Sequence, residues 1–348
     1  SQKFLRFLWQ GQSYQFVTMP FGLNVAPRVF TKLMKPVTSW LRGQGVRMII
    51  FLDDILVLAP TIETLNQHAR MTINLLESLG FLINYQKSTL VPTQRILFLG
   101  MLIDSSTIEF VLPKDKKENI LRECRYLLRT KQPSIRQIAR VLGLLEFTRP
   151  AIWAAPLHYR HLQLLQIESL HRSSDYNTQV SLSKDAKLDV NWWITNLPSL
   201  EGSPILPLTA DLTISSDASK IGWGAAWGNR RTGGRWNVHE AQDHINILEL
   251  KAAFFALKAL MKDQSHKVIC LKIDNSTAVA YLNNKGGTHS PQLLQLTLEI
   301  WNWCKTKHLY IIAQHVPGKK NVVADEESRN MIDHNDWQLN PTIIQPLI

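Results

Sequence analysis

The run from Met48 to Ala59 is apolar except at its centre, where two aspartates, Asp53 and Asp54, stand side by side. The run is too short to cross a bilayer, and adjacent carboxylates are costly in an apolar core because they repel each other and lose hydration. The segment therefore predicts two short strands joined by a tight Asp-Asp turn. A divalent cation could neutralise the pair, or the aspartates could simply suit an ordinary hairpin turn.

The composition is that of a globular protein of about two domains. The chain has 348 residues, of which 45% are hydrophobic and 19% are charged, which excludes a largely disordered chain. Cys124, Cys270 and Cys304 are far apart, so neither a zinc cluster nor a disulfide framework is indicated. No signal peptide or membrane span is visible. We expect an intracellular protein of the cytoplasm or nucleus, and a fragment of a longer chain.

The formal net charge of +11 is concentrated in the first 200 residues, which carry +10, while residues 201–348 carry +1. The first 52 residues contain seven basic side chains and no acidic one, and residues 114–149 carry +6. Two basic surfaces predict contacts with phosphates, and nucleic acid is a better candidate partner than an anionic membrane. The alternative for the second stretch is a helix with a solvated basic face.

Hydrophobic periodicity and turn residues predict a change of architecture at a Gly/Pro-rich linker over residues 200–208. Before the linker we expect a hairpin over 4–16, a loop over 19–27, and helices over 28–41, 61–79, 115–130, 134–147 and 183–197. Short strands are predicted at 81–83, 89–91, 98–103 and 108–111. After the linker, strands at 212–216, 222–227, 234–238, 267–273 and 309–315 alternate with helices at 246–261, 277–282, 291–305 and 321–329. This alternation is typical of an α/β or α+β domain with a mixed sheet.

Four carboxylates mark this second half: Asp217, Glu249, Asp274 and Asp325. Two follow predicted strands and two lie on predicted helices, so they can converge at one edge of the sheet. Converging anions need cations, and two metal ions in such a cluster hydrolyse phosphodiesters. The alternatives are a capping box begun by Asn246 for Glu249, turn or cap positions for the aspartates after strands, and a surface acid for Asp325.

Several segments resemble reverse transcriptases. Phe51-Leu-Asp-Asp54 is similar to their Asp-Asp box, and Met19–Phe30 to the loop and helix under template and nucleotide. Asn84-Tyr-Gln-Lys87 and Phe98–Asp104 resemble the palm lysine and the primer-gripping strands. The resemblance covers nearly the whole chain and is strongest to DIRS-type retrotransposons, with gypsy-type elements next.

The resemblance implies template-directed DNA synthesis with two Mg²⁺ ions, or Mn²⁺ in their place. Asp53 and Asp54 would supply metal ligands, Phe21 and Gly22 would lie against the nucleotide, and Lys87 would lie near the triphosphate. The alternative for Lys87 is a solvated surface side chain. The family has a further catalytic aspartate upstream, and no acid precedes Asp53. We therefore expect an incomplete polymerase site and poor polymerisation.

The second half resembles the ribonuclease H domain of retroelements. The matching segments are Asp217–Ala225, Tyr281–Gly287 and His315–Asp325. The resemblance implies two-metal cleavage of RNA in RNA–DNA hybrids, with Asn275 and Ser276 near the substrate backbone. The family's histidine before the last acid is missing, and His315 is assigned to the preceding strand.

The predicted fold class is α+β or α/β, in four parts. A partial palm occupies residues 1–110, a helical thumb and connection 111–203, a ribonuclease H-like mixed sheet 204–330, and a tail 331–348. The predicted function is a reverse transcriptase fragment with ribonuclease H activity. Its predicted partners are an RNA template, a DNA primer, the RNA–DNA hybrid and dNTPs, with no membrane and with the oligomeric state left open. The alternative is an inactive retroelement remnant or a host-retained nucleic-acid-binding protein.

Overall fold

A computed structural model describes residues 4–329, and the predicted tail over 331–348 lies outside them. The chain divides into two compact units, one over residues 1–106 and the other from Thr107 onward. The predicted domain boundaries near residues 110 and 203 stay predictions. Within residues 4–329, no helix combines the length and apolar character that a bilayer crossing requires.

The first unit contains antiparallel hairpins and two helices. Its elements are β1 (Arg6–Trp9), β2 (Gln12–Gln15), α1 (Ala26–Gly43), β3 (Arg47–Phe51), β4 (Asp54–Leu58), α2 (Ile62–Ser78), β5 (Arg95–Phe98) and β6 (Met101–Asp104). The pairs β1–β2, β3–β4 and β5–β6 are antiparallel. Leu41, Val46 and Met48 form a small buried cluster between α1 and β3. The predicted Asp-Asp hairpin and both predicted helices are confirmed.

Three predicted strands of this unit are wrong. Residues 81–83 and 89–91 are irregular. In the turn between them, the Tyr85 hydroxyl donates to Glu77 and Asn84 Oδ1 accepts from the Lys87 amide. The single strand predicted over 98–103 is instead a hairpin. Leu99 and Gly100 have φ angles of 49° and 79°, which reverse the chain between β5 and β6.

The second unit begins with a helical part. Its elements are β7 (Glu109–Val111), α3 (Lys114–Arg129), α4 (Ile135–Phe147), α5 (Arg160–Arg172), α6 (Lys184–Asn196) and β8 (Ser203–Pro204). Helix α4 has the predicted capping box between Ser134 and Gln137. Helix α5 was not predicted, and the predicted linker contains β8, which pairs with β7. The linker is therefore tied to the start of this unit.

The rest of the second unit is a mixed sheet with helices packed on it. Its elements are β9 (Leu212–Ala218), β10 (Gly222–Trp227), β11 (Arg230–Arg235), α7 (Ile245–Leu260), β12 (Lys267–Ile273), α8 (Ser276–Asn283), α9 (Pro291–Thr306), β13 (Leu309–His315) and α10 (Val322–Arg329). The strand order is β11-β10-β9-β12-β13. Strands β9, β10 and β11 pair antiparallel, and β12 runs parallel to β9 and β13. The predicted mixed sheet is confirmed, with β11 earlier than expected.

Candidate active site

Asp217 lies inside the central strand β9, opposite Gly224 of β10. Its side chain is buried, and its carboxylate contacts Ser328 on α10 and Asn321 just before α10. The Ser328 hydroxyl donates to Asp217 Oδ2 at 2.8 Å, and Asn321 Nδ2 lies 3.5 Å from Oδ1 while donating to the Ser216 carbonyl at 2.9 Å. Asp217 is therefore a fixed strand residue, and its interpretation as a turn or cap residue is wrong.

Glu249 lies on α7, whose first residue is Ile245. The N-cap is His244, whose Nδ1 accepts from the Asn246 amide. The helix starts too early for a capping box between Asn246 and Glu249, so that alternative is wrong. Glu249 is instead buried, with only 4% of its surface exposed.

Asp274 directly follows β12 and precedes α8. The N-cap of α8 is the next residue, Asn275, whose Oδ1 accepts from the Ala278 amide at 2.9 Å. Asn275 also donates through Nδ2 to Asn246 Oδ1, and Ser276 is exposed at the start of the helix. Since Asn275 performs the capping, the Asp274 carboxylate is not needed as a helix cap.

His315 ends β13, as predicted, and its side chain reaches the loop after β12. Its Nε2 lies 3.0 Å from the Asp274 backbone carbonyl, which can only accept a hydrogen bond. His315 therefore helps to fix the backbone on which Asp274 stands.

Asp217, Glu249 and Asp274 come together although they are distant in sequence. One carboxylate oxygen from each lies within 4.8 Å of the other two. Burial, with the charges of Asp217 and Asp274, raises the pKa of Glu249 to about 9. Burial also raises the pKa of Asp217 to about 6, with contributions from Asp274 and Asp325 and against the hydrogen bond from Ser328. The cluster resists carrying its full negative charge without a counter-ion.

The donor set fits a divalent cation. Glu249 Oε2 is buried and has no hydrogen-bond partner among residues 4–329. All the gathered ligand atoms are carboxylate oxygens, which hard cations such as Mg²⁺ prefer over softer donors. A cation between these side chains would satisfy the unpartnered oxygen and offset the repulsion.

Asp325, the fourth predicted acid, lies on α10 beside the cluster. Its charge helps to raise the pKa of Asp217, while its own Oδ1 accepts from Arg329 Nε at 2.8 Å. The following acids, Glu326 and Glu327, lie 3.7 and 3.8 Å from Arg231 Nη1 on β11. Asp325 is thus near the three gathered carboxylates but ion-paired with Arg329.

Ser328 and Asn321 were missed by the sequence analysis. The signal was their spacing around Asp325. Asn321 lies four residues before Asp325 and Ser328 three residues after it, which places both on or beside the same short helix. Their function becomes visible only when α10 is seen packed on β9 and β10, because the acceptor, Asp217, is more than a hundred residues away in sequence.

We expect Ser328→Ala to reduce divalent-cation-dependent activity at this site about ten- to a hundredfold, because losing one hydrogen bond to a charged group costs about 1.5–3 kcal/mol. The Asp217 carboxylate would lose its fixed orientation, so the variant should also need more cation for half-maximal activity. Ser328→Thr keeps the hydroxyl and is the matched control. An unchanged cation requirement in Ser328→Ala would contradict this role.

The first unit places its predicted site residues differently. Asp53 lies in the β3–β4 turn, where Leu52 has a φ of 53°, Asp54 is the first residue of β4, and both residues are exposed. Lys87 is also exposed, in a turn beyond α2. No third ligating side chain joins the aspartates to form a metal-binding group within the described residues.

The loop before α1 has the glycine geometry that its sequence suggests. Gly22 has a φ of 93°, which side chains other than hydrogen rarely allow, and open space surrounds it. The neighbouring Phe21 is fully exposed. Both features are compatible with a loop that a ligand can approach, and the assigned roles of these residues stay predictions.

Two family matches cover separate parts of the chain, one in each of the two compact units. Residues 1–103 match the family described as "Reverse transcriptase (RNA-dependent DNA polymerase)", and residues 225–330 match "Reverse transcriptase-like". The second match includes β11, β12 and β13 and the residues Glu249, Asp274 and Asp325, whereas Asp217 precedes it.

Curated relatives are viral and transposon polyproteins. The "Enzymatic polyprotein" of Figwort mosaic virus (strain DxS) is 25% identical over 340 residues, covering 93% of this chain and 47% of the relative. The "Retrovirus-related Pol polyprotein from transposon opus" of Drosophila melanogaster is 24% identical over 334 residues, covering 91% of this chain and 31% of the relative. The chain thus spans less than half the length of these relatives.

A solved structure supports the fold. The foamy viral protease-reverse transcriptase in complex with RNA/DNA hybrid aligns over 99% of this chain and 44% of its own, with a TM-score of 0.51 and 16% identity. Such a likeness bears on architecture alone. Residues 1–103 thus match a reverse transcriptase family and residues 225–330 a reverse transcriptase-like family, and the relatives are polyproteins of viruses and of a transposon.

Proposed function

We propose that this chain cleaves the RNA strand of RNA–DNA hybrids at the cluster of Asp217, Glu249 and Asp274. The observation that carries the proposal is the convergence within 4.8 Å of two buried carboxylates and the half-buried Asp274 carboxylate on a mixed sheet. Carboxylates that repel one another and have lost much of their hydration are costly to maintain, and such groups are typical of a functional site. This chain spans less than half of the relatives' polyproteins, and their wider activity, including DNA synthesis, is not part of this proposal.

Asp217, Glu249 and Asp274 would hold Mg²⁺, or Mn²⁺ in its place, with Asp325 contributing if Arg329 releases it. When bound, a pair of such ions activates water and stabilises the leaving oxygen of a phosphodiester. Ser328 and Asn321 orient Asp217, and the His315 contact fixes the backbone at Asp274. Asn275 and Ser276, at the start of α8, are proposed to lie beside the substrate backbone.

The proposed substrate also fits the charge of the helical part of this unit. Helices α3 and α4 carry an excess of exposed Lys and Arg over acidic side chains, including Arg125, Arg129 and Arg136. Such a surface binds phosphates irrespective of base sequence, because counter-ions are released. An RNA–DNA hybrid is therefore the proposed ligand of both the basic helices and the nuclease site.

Cleavage of a labelled hybrid tests the proposal. The RNA strand should be cut in the presence of Mg²⁺, chelation should stop the reaction, and single-stranded RNA and duplex DNA of the same sequence should remain intact. Hybrid binding without any cleavage in Mg²⁺ or Mn²⁺ would favour the alternative of an inactive remnant or a nucleic-acid-binding protein. Binding alone does not discriminate, since both candidates predict it.

DNA synthesis by these residues is expected to be poor. Asp53 and Asp54 offer two exposed carboxylates, and a two-metal site needs more ligands than one such pair supplies. With a primed RNA template, dNTPs and Mg²⁺, we expect little primer extension compared with a complete retroelement reverse transcriptase. Extension at a similar rate by both proteins would contradict this prediction.

We also propose a DIRS-type affiliation and an intracellular location. The affiliation is supported by the sequence of Tyr281–Gly287, with gypsy-type elements as the alternative. A tyrosine recombinase gene beside the coding sequence would support it, and a retroviral-type integrase gene would refute it.

The proposed intracellular location is supported by three free cysteines, of which Cys124 and Cys304 are buried.

A further inference from the structure

The segment Asn283–Gly287, which begins at the last residue of α8, is hydrogen-bonded to the nuclease sheet on one side. Asn283 forms two hydrogen bonds with Ala313 of β13. Its Nδ2 donates to the Ala313 carbonyl at 2.8 Å and its Oδ1 accepts from the Ala313 amide at 2.9 Å. A side-chain amide that pairs with both backbone groups of a strand residue fixes the direction in which the chain leaves α8.

The same segment is held on its other side by the helical part of residues 114–196, here called the connection helices. Arg149, just after α4, donates through Nη2 to Asn284 Oδ1 at 3.3 Å. Arg160, at the start of α5, donates through Nη2 to the Asn284 carbonyl at 2.8 Å. Asn284 therefore joins two arginines of the connection helices to the nuclease sheet.

The buried ammonium group of Lys285 also contributes to this contact between the connection helices and the nuclease sheet. It is 9% exposed, and its ammonium lies 5.2 Å from the ring centroid of Trp301, 5.5 Å from that of Tyr310 and 5.8 Å from that of Trp153. Trp153 belongs to the connection helices, whereas the other two rings belong to the nuclease domain. A desolvated cation over several aromatic faces gives a stronger attraction than a surface contact.

The two glycines of the segment allow this close approach. Gly286 has a φ of +110°, and a Cβ there would lie 2.6 Å from Leu294 Cδ1 and 3.4 Å from Arg160 Cγ. A Cβ on Gly287 would lie 2.8 Å from the Tyr281 ring. Side chains at these positions would crowd Leu294 and the Tyr281 ring, and the positive φ of Gly286 would be strained in any other residue, so the segment would shift from this position.

We propose that Asn283–Gly287 is a latch within the second unit that fixes the connection helices to the nuclease sheet, so that both bind one hybrid as a single rigid surface. This role rests on the proposed hybrid cleavage and deepens it. Two surfaces held in fixed geometry convert the second contact into an intramolecular event, which raises the affinity for any ligand long enough to touch both. The latch residues are positioning residues and do not touch the scissile bond.

The test compares long and short hybrids with the full chain. Trp153→Ala opens the aromatic cage from the connection side, and Gly286→Ala displaces the latch from the nuclease side. Trp192→Ala, which removes an aromatic ring stacked on His158 within the connection helices, is the matched control. For a hybrid of about 25 base pairs, both latch variants should raise KM about tenfold with kcat nearly unchanged. For a hybrid of about 6 base pairs, which reaches only the nuclease site, KM should not change.

Hydrogen exchange of residues 149–160 gives a readout that does not depend on cleavage. Both latch variants should exchange at least about tenfold faster there than the wild-type protein and Trp192→Ala. Equal KM changes on long and short hybrids, or unchanged exchange, would overturn the latch. A wild-type protein that cuts no hybrid would instead overturn the proposed function, while the exchange result would still decide whether the latch exists.

Discussion

Glu249→Gln is expected to abolish hybrid cleavage and to stabilise the metal-free protein at the same time. The carboxylate is buried beside Asp217 and Asp274, and burial is the main reason that its pKa rises to about 9. Because a raised pKa disfavours the ionised form in the folded state, keeping this group costs on the order of 3 kcal/mol at pH 7, which an uncharged amide of the same shape avoids. The free energy of unfolding should rise by about that amount.

The loss of activity has a separate cause. Without the Glu249 carboxylate a divalent cation loses one of its ligands, and metal ions supply several kcal/mol of transition-state stabilisation. Cleavage should fall about a thousandfold or more, as it should in Asp274→Asn. Mg²⁺ should raise the melting temperature of the wild-type protein, since a ligand of the folded state stabilises it, and should have less effect on either variant.

Glu299→Gln is the matched control for this experiment. Glu299 is exposed on α9, where it accepts a hydrogen bond from Gln295 at 3.2 Å, so its replacement should change stability by less than about 0.5 kcal/mol and leave cleavage intact. If Glu249→Gln cleaves hybrids at the wild-type rate, the site assignment is wrong. If it loses activity but is less stable than the wild-type protein, the electrostatic account of the cluster is wrong.

Gly224→Ala is expected to displace α10 and thereby to reduce hybrid cleavage. A Cβ on Gly224 would lie 2.4 Å from both the Ala324 carbonyl oxygen and the Ser328 amide nitrogen. Both are backbone atoms, so no side-chain rotation relieves the clash and the helix has to move. Overpacking of this kind costs about 1–3 kcal/mol or more. The shift would also carry the Ser328 hydroxyl away from Asp217.

Thermal unfolding and hybrid cleavage measure the two effects of Gly224→Ala. Gly143→Ala is the control, because Gly143 is exposed inside α4 with open space around it. In a helix interior alanine is favoured over glycine, so the control should gain up to about 1 kcal/mol and keep its activity. A Gly224→Ala protein as stable and active as the wild-type protein would show that α10 does not pack on β10 in the way described.

Local patterns predicted much of the fold because the forces behind them are local. The Asp-Asp hairpin follows from placing two carboxylates in an apolar run, and α4 follows from the capping box of Ser134 and Gln137. One error occurred where the backbone adopts a conformation that the residue type does not predict. Leu99 reverses the chain with a positive φ, which few non-glycine residues adopt and which no apolar pattern signals.

The candidate site was predictable to a similar degree. The order of Asp217, Glu249, Asp274 and Asp325 along strands and helices follows from sequence, as does the resemblance to ribonuclease H. The local alternatives, such as a capping box for Glu249, were excluded only by the position at which α7 begins. The pairing of Asp325 with Arg329, and the gathering of the other three acids without it, depends on side-chain directions that sequence does not contain.

Sequence alone was sufficient for most of the element types, the mixed sheet and the acids available for chemistry, because propensity, periodicity and capping act over a few residues. Only the tertiary structure decided which of those acids share one buried space, which residues orient them, and how Lys285 joins the connection helices to the nuclease domain. These features depend on contacts between residues far apart in the chain, such as Ser328 with Asp217 and Trp153 with Lys285. Packing of the complete domain creates such contacts, and no short segment of sequence encodes them.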